Sequence, residues 1–71
     1  MKIKEFYSDL SDEGRNSFCE RAGISRAYLE THLLCKPYRR KTPRRDTMKR
    51  LSAASAGKVT YSQLVADFYA P

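Results

Sequence analysis

Two cysteines, one histidine, three glycines and no tryptophan stand in a chain of 71 residues, and these scarcities remove whole classes of protein. Cys19 and Cys35 are too few for a disulfide framework, and neither a CxxC nor a paired Cys/His spacing is present. Cys19 reads as a small buried residue and Cys35 as an ordinary thiol. With His32 alone, ligands for a metal are equally short. No nucleophile–base pair and no glycine-rich phosphate loop is found, so the sequence offers no catalytic constellation. No apolar run approaches the roughly 18 residues of a membrane span, and the opening MKIKEFYSDL lacks the apolar core of a signal peptide. The expectation is a non-enzymatic cytoplasmic protein without cofactor, metal or small-molecule substrate.

What the chain has is positive charge, concentrated in one place. Its formal net charge is +6, from 14 Lys and Arg against 8 Asp and Glu. Residues 36–50 hold eight of those bases (Lys36, Arg39, Arg40, Lys41, Arg44, Arg45, Lys49 and Arg50) against the single acid Asp46. Outside that segment six bases face seven acids. The entire surplus therefore lies in one run, a field suited to a polyanion such as nucleic acid or an anionic membrane surface. Hydrophobic residues make up 41% of the chain, with five Tyr and three Phe. That suffices for one small domain near the lower size limit for a self-sufficient core, which pairing with a second copy would support.

The apolar spacing is helical throughout. Ile3, Phe6, Tyr7 and Leu10 form one stripe. Ser11 reads as an N-cap with Asp12 and Glu13 in the first turn, where negative charge suits the positive helix end. Gly14 weakens that start by about 1 kcal/mol relative to Ala if it is interior. The second helix continues through Phe18, Cys19 and Ala22 to a stop at Gly23, where a left-handed residue is least costly. Ser25 caps a third helix over Arg26 to Leu34, with Leu29 and Leu33 apolar. Pro37 and Pro43 bracket a basic loop, and Thr42–Pro43 has the pattern of an N-cap followed by a first-turn proline. That fourth helix runs through Met48, Leu51 and Ala54 and stops at Gly57. Thr60 and Gln63 then have the spacing of a capping box for a last helix. The prediction is an all-α domain of four to five short helices.

Within it, Arg15 to Leu34 has the rhythm of a helix-turn-helix: a short helix, a glycine turn, and a capped second helix two residues on. Phe18, Ala22, Ile24 and Leu29 would fill the angle between the two rods, with Cys19 small enough for close approach. The phrases SFCERAGISRAYL and TPRRDTMKRLSAASAGKVTYSQL, in this order, resemble the phage Cro/repressor-type helix-turn-helix proteins, particularly the small Cro-like and YdaS-like regulators. The resemblance covers about residues 3 to 69. The chain departs from the pattern at His32, where the family buries an aliphatic side chain, leaving Leu33 or a rotated helix to fill that place. It departs again in LLCKPYRRK, which is longer and more basic than the family's turn.

The resemblance implies a lambda-repressor-like fold. It also implies a sequence-specific regulator that binds double-stranded DNA, a phage or prophage repressor whose dimer occupies operator half-sites. The second helix of the motif would lie in the major groove, which nominates Ser25, Arg26, Ala27, Glu30 and Thr31 for base contact. Arg26 suits guanine. Glu30 suits a cytosine amino group, or orients Arg26 through an i,i+4 pair. Lys36, Arg39, Arg40, Lys41, Arg44 and Arg45 then suit phosphates, which position the reader without reading sequence. Four to six such contacts imply a log–log salt slope of about −4 to −5 per subunit. Leu64, Val65, Phe68 and Tyr69 either close the core or form the seam of a homodimer. An alternative from another class is an antitoxin-like or anti-repressor module that grips an acidic protein with the same basic surface.

Overall fold

The structure is a computed structural model that describes residues 1–36 and 40–69. Its regular elements are helices: α1 (Ile3–Ser8), α2 (Asp12–Ala22), α3 (Arg26–Tyr28) running directly into a π-helical turn (Leu29–Leu33), α4 (Arg45–Ala54) and α5 (Tyr61–Tyr69). The described residues contain no strand, and the all-α expectation holds. None of these helices is long and apolar enough to cross a membrane.

Local chemistry explains most of the boundaries. Ser11 Oγ accepts from Gly14 N at 3.1 Å, which caps α2 as its sequence suggests. At the other end Gly23 has φ +68°; its N–H donates to the Glu20 carbonyl and that of Ile24 to the Cys19 carbonyl. This pair of bonds is a Schellman stop. A Cβ at Gly23 would meet nothing within 4 Å, so glycine is needed there for its backbone and not for room. Two residues on, Ser25 Oγ accepts from Tyr28 N at 3.0 Å and starts α3. Arg15 closes α1: its guanidinium donates to the carbonyls of Tyr7 (3.2 Å) and Ser8 (2.9 Å), placing a cation at the negative helix end.

The third helix differs from its sequence prediction. After Tyr28 the chain widens to the π form, with Leu34 N donating to the Leu29 carbonyl at 2.9 Å. Leu29 and Leu33 are both fully buried, while His32 stays half-buried beside Tyr28, ring centroids 5.0 Å apart. Leu33, and not His32, is thus the buried residue of this turn. The fourth helix also differs. Pro43 is buried ahead of the helix and Arg44 is the N-cap, without a side-chain cap bond, so α4 begins two residues later than Thr42–Pro43 implied. Arg44 is extended, with ψ 160°, which leaves Pro43 outside the helix.

At its far end α4 stops at Ala54, and Ala56 (φ +56°) and Gly57 (φ +81°) both turn left-handed. The buried Ser55 hydroxyl ties this turn together. It donates to the Ser52 carbonyl (2.7 Å) and accepts from Val59 N (3.0 Å). The Thr60–Gln63 capping box forms in both directions, at 2.9 and 3.1 Å. The helices enclose one cluster: Ile3 and Tyr7 from α1, Phe18, Cys19 and Ala22 from α2, Leu29 and Leu33 from the third helix, Met48, Leu51 and Ala54 from α4, then Val59 and Leu64. α4 packs on both α2 and α5.

Candidate nucleic-acid interface

With Leu29 and Leu33 turned inward, the opposite side of the third helix is presented outward. Ser25, Ala27 and Thr31 are exposed on it, and Tyr28 is 42% exposed on one flank. Arg26 and Glu30 form the other flank, facing α1 and α2. Arg26 is the hub of a polar cluster there. Its Nε donates to Glu30 Oε2 (2.8 Å), Nη1 to Asn16 Oδ1 (3.1 Å) and Nη2 to Asp12 Oδ1 (3.1 Å). The same Glu30 oxygen also accepts from the Tyr7 hydroxyl at 2.5 Å. Three of the five guanidinium N–H groups are therefore engaged and two remain free.

The charges in this cluster stabilise each other's ionised forms. The Tyr7 hydroxyl, then Arg26, holds the Glu30 carboxyl below its usual range. Hydrogen bonds to Glu30, then to Asp12, push the Arg26 guanidinium upward. Burial, followed by the bond to Glu30, raises Tyr7. Cys19, buried behind Tyr7, is raised chiefly by burial. Through Oε2, Glu30 holds Arg26 by the i,i+4 pair that the sequence spacing allows.

The cations after the third helix divide into two groups. Lys36, Lys41, Arg44 and Arg45 are exposed. The Lys41 N–H donates to the His32 carbonyl at 2.8 Å, which holds this point of the segment against the π-turn. Arg39 lies outside the described residues. Arg40 departs from its expected place at phosphate. Its fork closes on Asp67, Nη1 to Oδ1 at 3.1 Å and Nη2 to Oδ2 at 2.9 Å, while Nε donates to the Leu33 carbonyl at 2.9 Å. Its plane also lies over the Phe68 ring, 3.9 Å from the centroid. A half-buried acid on α5 outcompetes solvent for this guanidinium, so Arg40 is a fastener.

A cleft of about 370 Å³ joins the two halves of the surface. It is lined by Ile24 and Tyr28 on one side and by Thr42, Pro43, Arg44, Thr47 and Arg50 on the other. The outward side of the third helix and the cationic start of α4 consequently share one face. Sequence reasoning did not single out Tyr28 and Arg50, which line this cleft, or Lys49, whose ammonium lies 6.0 Å from the Tyr61 ring centroid. Lys49 and Arg50 are exposed on α4 and were visible only as members of the basic run. Asp12 and Asn16 were also missed, because no local spacing links them to Arg26 and only the α2–α3 packing does.

On α5 the four seam candidates separate. Leu64 is 0% exposed and belongs to the core of its own chain, so it has no surface to offer a second copy. Val65 and Phe68 are half-buried, the latter beneath Arg40, and Tyr69 is 55% exposed. No family model matches the chain, and no curated protein or solved structure shows significant similarity to it.

Proposed function

We propose that the protein is a sequence-specific regulator that binds double-stranded DNA. α2, the Gly23 turn and the third helix form the reading unit, and the start of α4 supplies the backbone grip. The observation that carries this reading is the shared face. Exposed Ala27 and Thr31, with Arg26 beside them, adjoin a cleft walled by Tyr28 on one side and by Arg44 and Arg50 on the other. Short side chains on the outward side let a helix approach base edges closely, and cations beside it meet the phosphates that border the groove. Arg26 is held by Asn16, Asp12 and Glu30 in a fixed orientation that leaves two N–H groups for a guanine. In this reading it acts as a repressor of the phage type, and two copies on a pseudo-palindromic operator offset the small contact area of one module.

A second reading, an interaction module for another protein, draws on the acids Asp12 and Glu30 around Arg26. A surface of mixed sign suits a protein partner better than a uniform polyanion. Selection of bound duplexes from a random DNA pool separates the two. Recovery of a defined motif supports the first reading, and sequence-blind retention supports the second. With Lys36, Lys41, Arg44 and Arg45 on phosphate, the log–log salt slope per subunit is expected at about −4.

A further inference from the structure

Among the described residues between the third helix and α4, Arg40 ties the chain to α5. Arg40 directs four of its five N–H groups to protein acceptors: the Leu33 carbonyl, the Asp67 carbonyl at 3.3 Å and both Asp67 carboxylate oxygens. One face of the guanidinium is covered by Phe68. The two charged side chains are only 20% and 12% exposed. Such an arrangement locks the end of the π-turn and the nearby basic segment to α5, 27 positions away in sequence. Four residues beyond Arg40 stands Arg44, the N-cap of α4 and a wall of the cleft. The bond from Lys41 N to the His32 carbonyl lies between them.

We infer that Asp67 and Phe68 on α5 are positioning residues for nucleic-acid binding: they convert Arg40 from a free cation into the anchor from which Lys41, Arg44 and Arg45 are presented in fixed places. The inference rests on the DNA-binding reading above. A segment fastened in this way loses little conformational freedom when it meets the phosphates, whereas a loose one must be ordered during binding. A two-pronged planar fork in a half-buried site also has a geometry that lysine does not reproduce.

The inference reverses the sign that simple electrostatics gives. Asp67 is an acid in a DNA-binding protein, so Asp67→Asn should tighten binding to any duplex if charge alone counts. Arg40→Gln should weaken it, and the double variant, with the wild-type net charge, should return to the wild-type value. Fastening demands a different pattern. Asp67→Asn and Arg40→Gln each weaken binding about fivefold or more, and the double variant is no weaker than either single one, because both remove the same clasp. The salt slope of Asp67→Asn falls by roughly 1 for each phosphate contact that is lost.

The measurement is fluorescence anisotropy on a labelled duplex recovered by the wild-type protein from the random pool, with helix content of each variant followed by circular dichroism. Arg40→Lys covers the case in which Asp67→Asn does not fold. It keeps the charge and is expected to weaken binding several-fold, whereas an equal or tighter Kd overturns the inference. Tightening by Asp67→Asn, or restoration in the double variant, overturns it as well while leaving the DNA reading intact. A wild-type protein that enriches no duplex removes both.

Discussion

The Tyr7 hydroxyl donates to Glu30 Oε2 at 2.5 Å, and the same oxygen accepts from Arg26 Nε at 2.8 Å. α1 is thereby fastened to the third helix at the residue that orients Arg26. Tyr7→Phe keeps the buried ring and removes only this bond. Hydrogen bonds to charged groups contribute more than neutral ones, but Glu30 is partly open to water, which replaces some of what is lost. A destabilisation of about 1 kcal/mol is expected, or about 4–8 °C in Tm for a domain of this size.

The pH dependence of that difference identifies its origin. Glu30 titrates below its usual range in the folded chain, so its contribution is present above about pH 4.3 and is lost as pH falls through the lowered folded value. Tyr7 is raised, so its contribution is present below about pH 10 and is lost as pH rises beyond that. Urea unfolding of wild type and Tyr7→Phe across pH 3 to 11 should give a difference that is level at neutral pH and shrinks at both ends. Burial by itself also raises Tyr7, so only the acid-side loss reports the bond to Glu30; a difference that stayed level as pH falls below about 4.3 would mean that Tyr7 acts without that bond.

Ser55 is the buried polar residue at the α4–α5 turn, where Ala56 and Gly57 are both left-handed. Its hydroxyl is the acceptor for Val59 N at 3.0 Å. Ser55→Ala removes that acceptor and leaves a buried N–H unsatisfied, which costs about 1–3 kcal/mol. Because the turn sets where α5 begins, the effect should extend beyond stability. Amide exchange at Val59 is expected to accelerate, together with exchange in the first turn of α5. Unchanged protection at Val59 would show that water or a shifted carbonyl replaces the serine oxygen.

The fold was largely legible because its signals are local. Ser11, Ser25 and the Thr60–Gln63 pair cap the helices the sequence assigns to them, and Gly23 makes the stop between α2 and α3. The widening at Leu29–Leu33 was not legible, since Leu29 and Leu33 fit an α-helical stripe as well as a π-turn and only packing decides between them. The start of α4 was misplaced because Thr42–Pro43 fits the N-cap pattern, while the extended Arg44, which carries no side-chain cap bond, is where the helix begins. In the basic run each arginine looks alike as a residue type, yet Arg40 has an acid 27 positions away while Arg44 and Arg45 remain exposed. Long-range partners sort equal charges into fasteners and free cations, and a sequence pattern carries no trace of them.

Arg26 and the pair Arg44–Arg45 should fail in different ways when they are removed. Arg26 has two free N–H groups and a fixed direction, so in the DNA-binding reading it discriminates between bases. Arg26→Ala is expected to weaken the selected duplex about tenfold or more while leaving scrambled duplexes nearly unchanged, which relaxes the preference at one base pair. Its loss also releases Asp12 and Glu30 as uncompensated acids near the DNA, an effect that weakens every duplex to the same small extent. The ratio of selected to scrambled affinity is therefore the quantity to compare. Arg44 and Arg45 stand exposed at the start of α4, where a cation meets phosphate whatever the base sequence. The double replacement by Ala should weaken selected and scrambled duplexes by the same factor and lower the salt slope by about 2, roughly 1 for each cation. If Arg26→Ala instead lowered both affinities equally, with the ratio preserved, the guanidinium would be one more phosphate ligand. The reading of bases would then fall to Ala27, Tyr28 and Thr31.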